Sequence, residues 1–514
     1  MPHRPAFPAF TVTRPLTATA LAAALAMFIA GCAVGPDYQR PTTTVPASYK
    51  EAPEGWKVAQ PADQTDRGTW WTVYNDERLN ELETRLNQSN QSIAQFAAAY
   101  RQARALVSEA RAAYFPTIGA AASAARSGTG AGNRSTNSSS FGQQGSVNNQ
   151  FSLSLDASWE PDLWGSVSRT VTAQKAGQQG AAADLANARL SAQATLAQSY
   201  FQLRSLDAQQ KLLDETVAAY EQSLKLTQNQ YAQGIVARSD VIQAQTQLQS
   251  AQASAIDNGV ARAQFEHAIA VLVGEPASTF SVPPIPLDAT PPTVPVQMPS
   301  AILERRPDIA SAERKAAAAN EQIGIEMAAY FPTLTLSAQG GFESSVLSQL
   351  LRAPSRFWTL GPDIAATIFD GGLRSARTEA ARAAYDQNVA TYRQTVLTAF
   401  QDVEDNLASL RILEKEIVVQ QQAVESAQQA LAIINNQYKA GTVAFISVLT
   451  AQTTAFTAQQ KLANIAGQRM VSSVGLVKAL GGGWDVAQMD RETGGVEAPA
   501  AAASAASATQ TANR

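Results

Sequence analysis

The side chains that usually carry out catalysis are scarce in this sequence. Its 514 residues include two histidines and one cysteine, which argues against a zinc site, an iron–sulfur cluster or a disulfide. A nucleophilic triad would have to draw its imidazole from His267. Asp156, Glu160 and Asp162 form a local cluster of carboxylates, and a solvated strand-to-loop surface explains it better than a general acid–base pair. We therefore predict that the chain is not an enzyme and has no catalytic residue, metal or bound cofactor.

The single cysteine indicates covalent lipid chemistry instead. Cys32 follows an apolar stretch at 16–31, which is too short for a membrane-spanning helix and is typical of a signal-peptide core. The preceding Ile-Ala-Gly resembles a bacterial lipobox, in which the thiol accepts a diacylglycerol; an ordinary secretory signal that contains a cysteine is the alternative. We predict a lipoprotein signal peptide at 1–31 and a mature chain that begins at Cys32, with palmitate among its acyl groups. Since Val34 stands where an inner-membrane retention signal has Asp, the predicted destination is the outer membrane.

Charge and composition narrow the choice of partner. The chain has 39 basic and 43 acidic residues and a net charge of −4, and charged residues make up 16%. An average soluble protein has about 25%. A mildly acidic chain without a basic patch argues against nucleic acid as a partner.

Two halves of the sequence resemble each other. The hexapeptide AAYFPT occurs at 112–117 and again at 328–333, and segment 229–252 aligns without gaps on 436–459 with twelve of 24 positions identical. These repeats predict a tandem duplication. The predicted organisation is an N-terminal repeat at 32–281, a Pro-rich connector at 282–299, a C-terminal repeat at 300–484 and a disordered tail at 485–514.

Each half contains two segments in which apolar and polar residues alternate. This period of two is typical of a sheet with one wet face. It predicts one strand pair at 116–126 and 150–160 and another at 332–342 and 357–369.

Each half also contains helical patterns of unusual length. Mostly apolar residues recur every seven positions from 196 to 231, as at Leu196, Leu203 and Leu224, and again around Val403 and Leu410, and no proline interrupts 167–231. Such heptads fit coiled-coil packing of neighbouring helices. A helix of about 65 residues would be about 100 Å long.

Four amphipathic strands are too few to close a membrane barrel alone. Open edges in lipid leave backbone groups unpaired, and known closed barrels need about eight strands or more. We therefore predict an oligomer in which apolar positions face lipid and Ser152, Ser154, Asp156 and Ser158 face water; a soluble sandwich core is the alternative. Three tryptophans could form interface girdles or pack at the base of the barrel, namely Trp159, Trp164 and Trp358.

Short motifs occur along the chain in a distinctive order. They are CAVGPDY at 32–38 with Pro41, WW at 70–71, the two copies of AAYFP, WEPDLWG at 159–165, ERRPDI at 304–309, FDGG at 369–372 with Arg374, and LGGGW at 480–484. As a set, which spans about 32–485, they resemble the TolC-type outer-membrane factors, and within these the NodT-like lipoprotein branch of resistance–nodulation–division efflux systems.

The resemblance implies a mainly α fold with a membrane β-barrel. In such a homotrimer, a 12-stranded β-barrel is continued by a 12-helix periplasmic α-barrel, and each chain supplies two structural repeats. The implied function is a passive outer-membrane channel of a tripartite multidrug efflux pump. Its implied partners are a periplasmic adaptor protein, an inner-membrane pump of the resistance–nodulation–division type and outer-membrane lipid.

The resemblance also assigns the periplasmic tips to 231–240 and 438–447. The residues implied in adaptor docking there are Tyr231, Gly234, Asp240, Tyr438, Gly441 and Ser447. Asp240, Ser447 and Thr450 are the candidates for lining the aperture. In relatives, acidic residues of the second tip narrow the aperture, whereas this chain has Ser447 and Thr450 at the corresponding places, which puts charge gating at that tip in doubt.

Two other functions stay open from the sequence. A channel for type I protein secretion would differ only in its partner. A structural coiled-coil surface protein would explain the heptads but not the paired strand patterns. The exported compound and the identities of the pump and adaptor are not encoded in any motif.

Overall fold

The computed structural model describes residues 33–51, 68–128, 147–292, 302–484 and 486. The predicted signal peptide, Cys32 and nearly all of the predicted tail lie outside these residues. The chain is mainly helical. Its helices are α1 (Glu77–Ser89), α2 (Gln91–Ala112), α3 (Ser166–Ala232), α4 (Arg238–Leu272), α5 (Pro307–Ala328), α6 (Leu373–Lys439) and α7 (Phe445–Ala479), with a 3-10 helix at Trp70–Tyr74 and a four-residue helix at Ile302–Arg305.

Four strands form one antiparallel sheet in the order β1 (Thr117–Gly128), β2 (Val147–Trp159), β3 (Thr333–Ser344) and β4 (Arg356–Ala365). Neighbours in this order are hydrogen-bonded, so β2 pairs with β1 on one side and with β3 on the other. Leu153, for example, lies opposite Ala122 and Phe342. Within the described strands, one edge of β1 and one edge of β4 have no partner.

The last strand is shorter than its sequence pattern predicts. β4 ends at Ala365, and the exposed Ile368 and Phe369 lie beyond it. The chain then turns towards α6, because Asp370 accepts hydrogen bonds from the backbone N–H groups of Gly372 and Arg374 at 3.0 and 3.2 Å. A side-chain acceptor at this place favours a helix start over a continued strand.

The chain divides into two compact units. Among the described residues, those of the strand unit fall within 33–40, 104–177 and 316–388, and those of the helical unit fall within 41–103, 178–315 and 389–486. Each is therefore built from three separate stretches of sequence.

Four helices are much longer than the average of three or four turns. α3 and α6 have 67 residues each and α4 and α7 have 35 each. A 67-residue helix is about 100 Å long. The heptad positions Leu196, Leu203 and Val403 are 0% exposed, which shows that these apolar seams are packing surfaces. No helix in the described ranges combines the length and the apolar character needed to cross a membrane.

The largest core of the helical unit surrounds α1. Its residues Leu79, Leu82 and Leu86 are fully buried, and Glu83 on the same helix is also 0% exposed. The core is completed by large side chains from the 3-10 helix, α3, α4 and α7, namely Trp70, Trp71, Tyr74, Leu196, Tyr200, Phe201, Leu203, Ile269, Met470 and Val474.

Both ends of α1 are held by specific polar contacts. Asp76 caps the helix by accepting from the backbone N–H of Leu79 at 3.0 Å, and it also accepts from Tyr200 and Arg204 of α3. At the other end, Ser89 donates to the carbonyl of Val273 at 2.6 Å. The apolar middle of α1 is thus fixed against the long helices.

Candidate functional site: sheet faces and helix turns

The two faces of the sheet differ in polarity along every strand. Because side chains alternate across a strand, the register assigns each residue to one face. One face carries mainly hydroxyl, amide and carboxylate groups, from Ser123, Ser152, Ser154, Asp156, Ser158, Thr335, Ser337, Gln339 and Thr359 among others. The other carries Ile118, Phe151, Leu153, Leu155, Leu334, Leu336, Phe342, Trp358, Leu360 and Ile364. The sheet is therefore amphipathic on the pattern that the sequence predicts.

Many apolar side chains of this sheet are not covered by any other residue that the structure describes. Leu155 is 62% exposed, Leu360 72% and Trp358 80%. A monomer in water rarely presents so large an apolar surface, which marks an interaction with lipid or protein.

The acidic residues of the strands lie on one face of the sheet and the arginines lie on the other. Asp156, Glu343 and Asp363 lie on the polar face, where Glu343 accepts a hydrogen bond from Gln150 at 2.9 Å. Arg126 and Arg356 lie on the apolar face. No lysine or arginine of the described strands lies on the polar face, so its formal charge is negative.

The carboxylate cluster of the sequence has mainly structural contacts. Asp162 caps α3, because its carboxylate accepts from the backbone N–H groups of Val167 and Ser168 at 3.0 and 2.7 Å. Asp156 accepts from the hydroxyl of Ser154 at 3.2 Å, and Glu160 is exposed. This arrangement fits the strand-to-loop interpretation rather than a general acid–base pair.

The three tryptophans have different surroundings. Trp164 donates to the carbonyl of Pro332 at 2.7 Å and stacks on Phe331 with ring centroids 4.7 Å apart, so it packs within the strand unit. Trp159 donates to the carbonyl of Tyr114 at 3.1 Å. Trp358 is exposed on the apolar face.

The first described residues are bound to the strand unit beside the end of β2. Val34 donates its N–H to the carbonyl of Trp164 at 3.1 Å. Arg169 on α3 donates to the carbonyls of Gly35 and Pro36 at 3.1 and 3.2 Å, and it forms a buried ion pair with Glu321 on α5 at 2.8 Å. The segment that follows Cys32 is therefore fixed in place by a buried guanidinium.

The turn between α3 and α4 and the turn between α6 and α7 have the same backbone geometry. Gly234 and Gly441 have φ values of +74° and +73°. Each glycine N–H donates to a tyrosine carbonyl, of Tyr231 or Tyr438, at 2.9 Å, and the next N–H donates to the carbonyl of the residue before that tyrosine. This is the Schellman motif, which glycine favours because it has no Cβ.

The side chains of the two turns are not equivalent. Tyr231 is 46% exposed, whereas Tyr438 packs against Phe445 with ring centroids 5.6 Å apart and donates to Gln230 at 2.8 Å. Burial raises the pKa of Tyr438, and the negative charge of Asp240 raises it further.

The remaining candidates of the second turn lie at the start of α7. Ser447 donates its backbone N–H to the carbonyl of Ala444 at 3.0 Å, and the hydroxyl of the exposed Thr450 bonds to the carbonyl of Ile446 at 2.9 Å. Thr450 lines an open groove of about 620 Å³. Gln247, Thr453 and Lys461 also line this groove.

Sequence reasoning missed two glutamines that join the long helices near these turns. Gln247 of α4 donates to the hydroxyls of Tyr220 on α3 and Thr453 on α7 at 3.1 and 3.2 Å. Gln230 accepts from Tyr438. Glutamine is abundant in these helices, so no sequence signal distinguishes these two positions from the others.

Comparisons with known proteins agree with this geometry. The family model described as "Outer membrane efflux protein" matches residues 83–275 and 298–482. The chain is 32% identical over 479 residues to the probable efflux pump outer membrane protein TtgC of Pseudomonas putida, covering 91% of this chain and 96% of that protein. It is 31% identical over 447 residues to the pyoverdine export outer membrane protein OpmQ of Pseudomonas aeruginosa, covering 86% and 92%. The solved structure of the outer-membrane channel OprN matches with a TM-score of 0.81 and 28% identity, over 88% of this chain and all of that one.

Proposed function

This chain belongs to the outer membrane efflux protein family and is the outer-membrane component of an efflux system, and we propose that it acts there as a passive conduit for small molecules. The polar face of the sheet would line the water-filled part of the conduit, and the apolar face would contact lipid. Drugs or other toxic compounds would leave the periplasm through it. The family relationship supports the efflux role, and the amphipathic sheet is the observation that carries the proposed pore.

The pore would be closed by three copies of the chain. A sheet of four strands has two open edges, which lipid cannot satisfy because it offers no hydrogen bonds. Three such sheets joined edge to edge would give a twelve-stranded barrel, and the paired long helices would give a twelve-helix periplasmic barrel. The aligned halves of the sequence and the matching helix lengths support a tandem duplication as the origin of this design.

The partners would be a periplasmic adaptor and an inner-membrane pump of the resistance–nodulation–division type. The two helix turns are the places proposed for adaptor docking, because they are exposed and share one backbone geometry. Asp240, Ser447 and Thr450 are the proposed aperture residues. The uncharged side chains of Ser447 and Thr450 support an aperture that is not narrowed by like charge at the second turn.

Reconstitution of the purified full chain in planar bilayers tests the conduit. We expect discrete ion conductance, together with a trimer by native mass spectrometry in detergent. Restored drug tolerance is expected when the chain is expressed with a matching pump and adaptor in a host that lacks its own outer-membrane component. A stable monomer without conductance would contradict the proposal.

A lipid on Cys32 is part of the same proposal. It is supported by the lipobox-like sequence and by the contacts that fix the next residues, Val34 to Pro36, against the strand unit. We expect mass spectrometry of the mature amino terminus to find a diacylglycerol-modified cysteine. Cys32→Ser behind a conventional secretory signal should still assemble, because the strands bind the membrane by themselves. An unmodified Cys32 in the mature protein would refute the lipid anchor.

A charge on the apolar face should destabilise the protein in the membrane. Leu155→Arg places a cation on the face proposed to contact lipid, at a cost of about 2–4 kcal/mol near the bilayer midplane. The matched control is Gln339→Arg. Gln339 is exposed on the polar face, and it is the neighbour of Gly340, which lies opposite Leu155. Urea unfolding in lipid vesicles measures the difference. Equal losses at both positions would contradict the assignment of the faces.

The turn glycines should be required for efflux but not for membrane assembly. Gly441→Val forces a β-branched residue to a φ of +73°, which costs about 1–3 kcal/mol of backbone strain. An added Cβ meets no described atom within 4 Å, so the Cβ itself adds no steric clash to this strain. Gly259→Val is the control, since that helical glycine also has open space but an ordinary φ. We expect lower drug efflux with an intact trimer for Gly441→Val alone; unchanged efflux would argue against a role for this turn.

A further inference from the structure

Both arginines of the apolar sheet face lie at the same end of the strands. Arg126 is two residues from the end of β1 and lies opposite Asn149, and Arg356 is the first residue of β4 and lies opposite Phe342. The rest of this face, away from that end, carries no charged residue within the described strands. The two cations therefore mark one border of the apolar surface.

Neither arginine has an acidic partner in the part of the chain that the structure describes. The ion pairs found among the described residues include neither of them, and both side chains are exposed. The carboxylates of the strands lie on the opposite face. A guanidinium has five N–H donors, and where no carboxylate accepts from them they are available to an anion from outside the chain.

The position of these arginines fits a membrane interface. Strands of 10–13 residues are long enough to cross the hydrocarbon core, so their ends lie near the lipid headgroups. A lipid-facing arginine is costly at the midplane but tolerated near the interface, where its side chain reaches the polar region.

The connection between β3 and β4 adds a second, independent sign of headgroup contact at this end. Val346, Leu347 and Leu351 are 47%, 63% and 69% exposed, and Arg352 beside them is also exposed. Exposed apolar residues interspersed with a cation are typical of segments that lie in the membrane interface.

This inference rests on the proposed function, which places the end of the sheet that carries the arginines at the outer surface of the membrane. α3 and α6 follow the opposite ends of β2 and β4, and the segment after Cys32 is bound beside Trp164 at that opposite end. With the helices and the lipid anchor on the periplasmic side, the arginines meet the outer leaflet. In a Gram-negative outer membrane that leaflet consists largely of phosphorylated glycolipid.

We propose that Arg126 and Arg356 bind the phosphate groups of an outer-leaflet glycolipid, with the leucines of the β3–β4 connection against its acyl chains. Arginine suits this partner because its planar fork matches phosphate oxygens in pairs. The site would fix the depth of the channel in the membrane and stabilise it only where the phosphorylated glycolipid is present.

The test uses the full-length trimer, delipidated in detergent and titrated with diphosphorylated lipid A, dephosphorylated lipid A or phosphatidylglycerol. Native mass spectrometry counts the bound lipids. We expect the diphosphorylated form to bind most tightly, and Arg126→Gln or Arg356→Gln to weaken that binding about fivefold each, as for one basic residue near an anionic surface. Arg126→Lys should keep most of the affinity. The control Arg377→Gln removes an exposed arginine from α6 and should change nothing.

Three results would overturn the glycolipid site. They are equal binding of the dephosphorylated form, equal binding of phosphatidylglycerol, and a loss of binding in Arg377→Gln as large as in the strand variants. Planar-bilayer conductance of the same samples separates this test from that of the proposed function. Conductance without phosphate-dependent binding would support the channel and refute the glycolipid site. Absence of conductance would refute the channel itself.

Discussion

Arg169→Met is expected to destabilise the strand unit by about 3–5 kcal/mol. The substitution leaves the Glu321 carboxylate buried without its cation, and loss of one partner of a buried ion pair carries a cost of this size. It also removes the donors to the carbonyls of Gly35 and Pro36. Urea unfolding in detergent micelles, followed by the fluorescence of the nearby Trp164, measures the loss.

Two further variants make this expectation specific to the buried pair. The double variant Arg169→Met/Glu321→Met should recover most of the stability, because it removes the unpaired charge. Arg78→Met breaks the more exposed pair with Glu81 and should cost no more than about 1 kcal/mol. If Arg169→Met were as mild as Arg78→Met, the guanidinium would not be essential to the way the amino-terminal segment is held.

Glu83→Gln is expected to stabilise the protein at neutral and alkaline pH. Burial raises the pKa of Glu83 from 4.5 to about 9, and neither carboxylate oxygen has a hydrogen-bond partner among the described residues. The unfolded chain releases this proton above about pH 4.5, whereas the folded chain keeps it until about pH 9. The free energy of unfolding therefore falls as the pH rises from 4.5 to about 9, by roughly 3 kcal/mol between pH 4.5 and 7.

A comparison of stability at pH 5, 7 and 8.5 checks this expectation. Glutamine cannot ionise, so the profile of Glu83→Gln should be flatter than that of the unsubstituted protein, with similar stability near pH 5. Glu81→Gln on the same helix is the control, since Glu81 is exposed and should leave the profile unchanged. Parallel profiles for Glu83→Gln and the unsubstituted chain would show that Glu83 is ionised in the folded state.

Local regularities of this protein follow from its sequence. The alternation around Leu153 and Ser154 predicts the two sheet faces because a strand turns successive side chains to opposite sides. The heptads around Leu196 and Val403 predict buried helix seams for an equally local reason. The end of β4 departs from this local rule, since Ile368 continues the apolar alternation while Asp370 already begins the turn towards α6.

The tertiary structure alone decided which distant side chains meet. No pattern in the sequence joins Arg169 to Glu321, 152 positions away, or places Gln247 between Tyr220 and Thr453. The sequence likewise does not distinguish the buried Glu83 from the exposed Glu81 on the same helix. Backbone periodicity acts over a few residues, whereas burial and pairing depend on the register of packed helices and strands, which emerges only when the whole chain has folded.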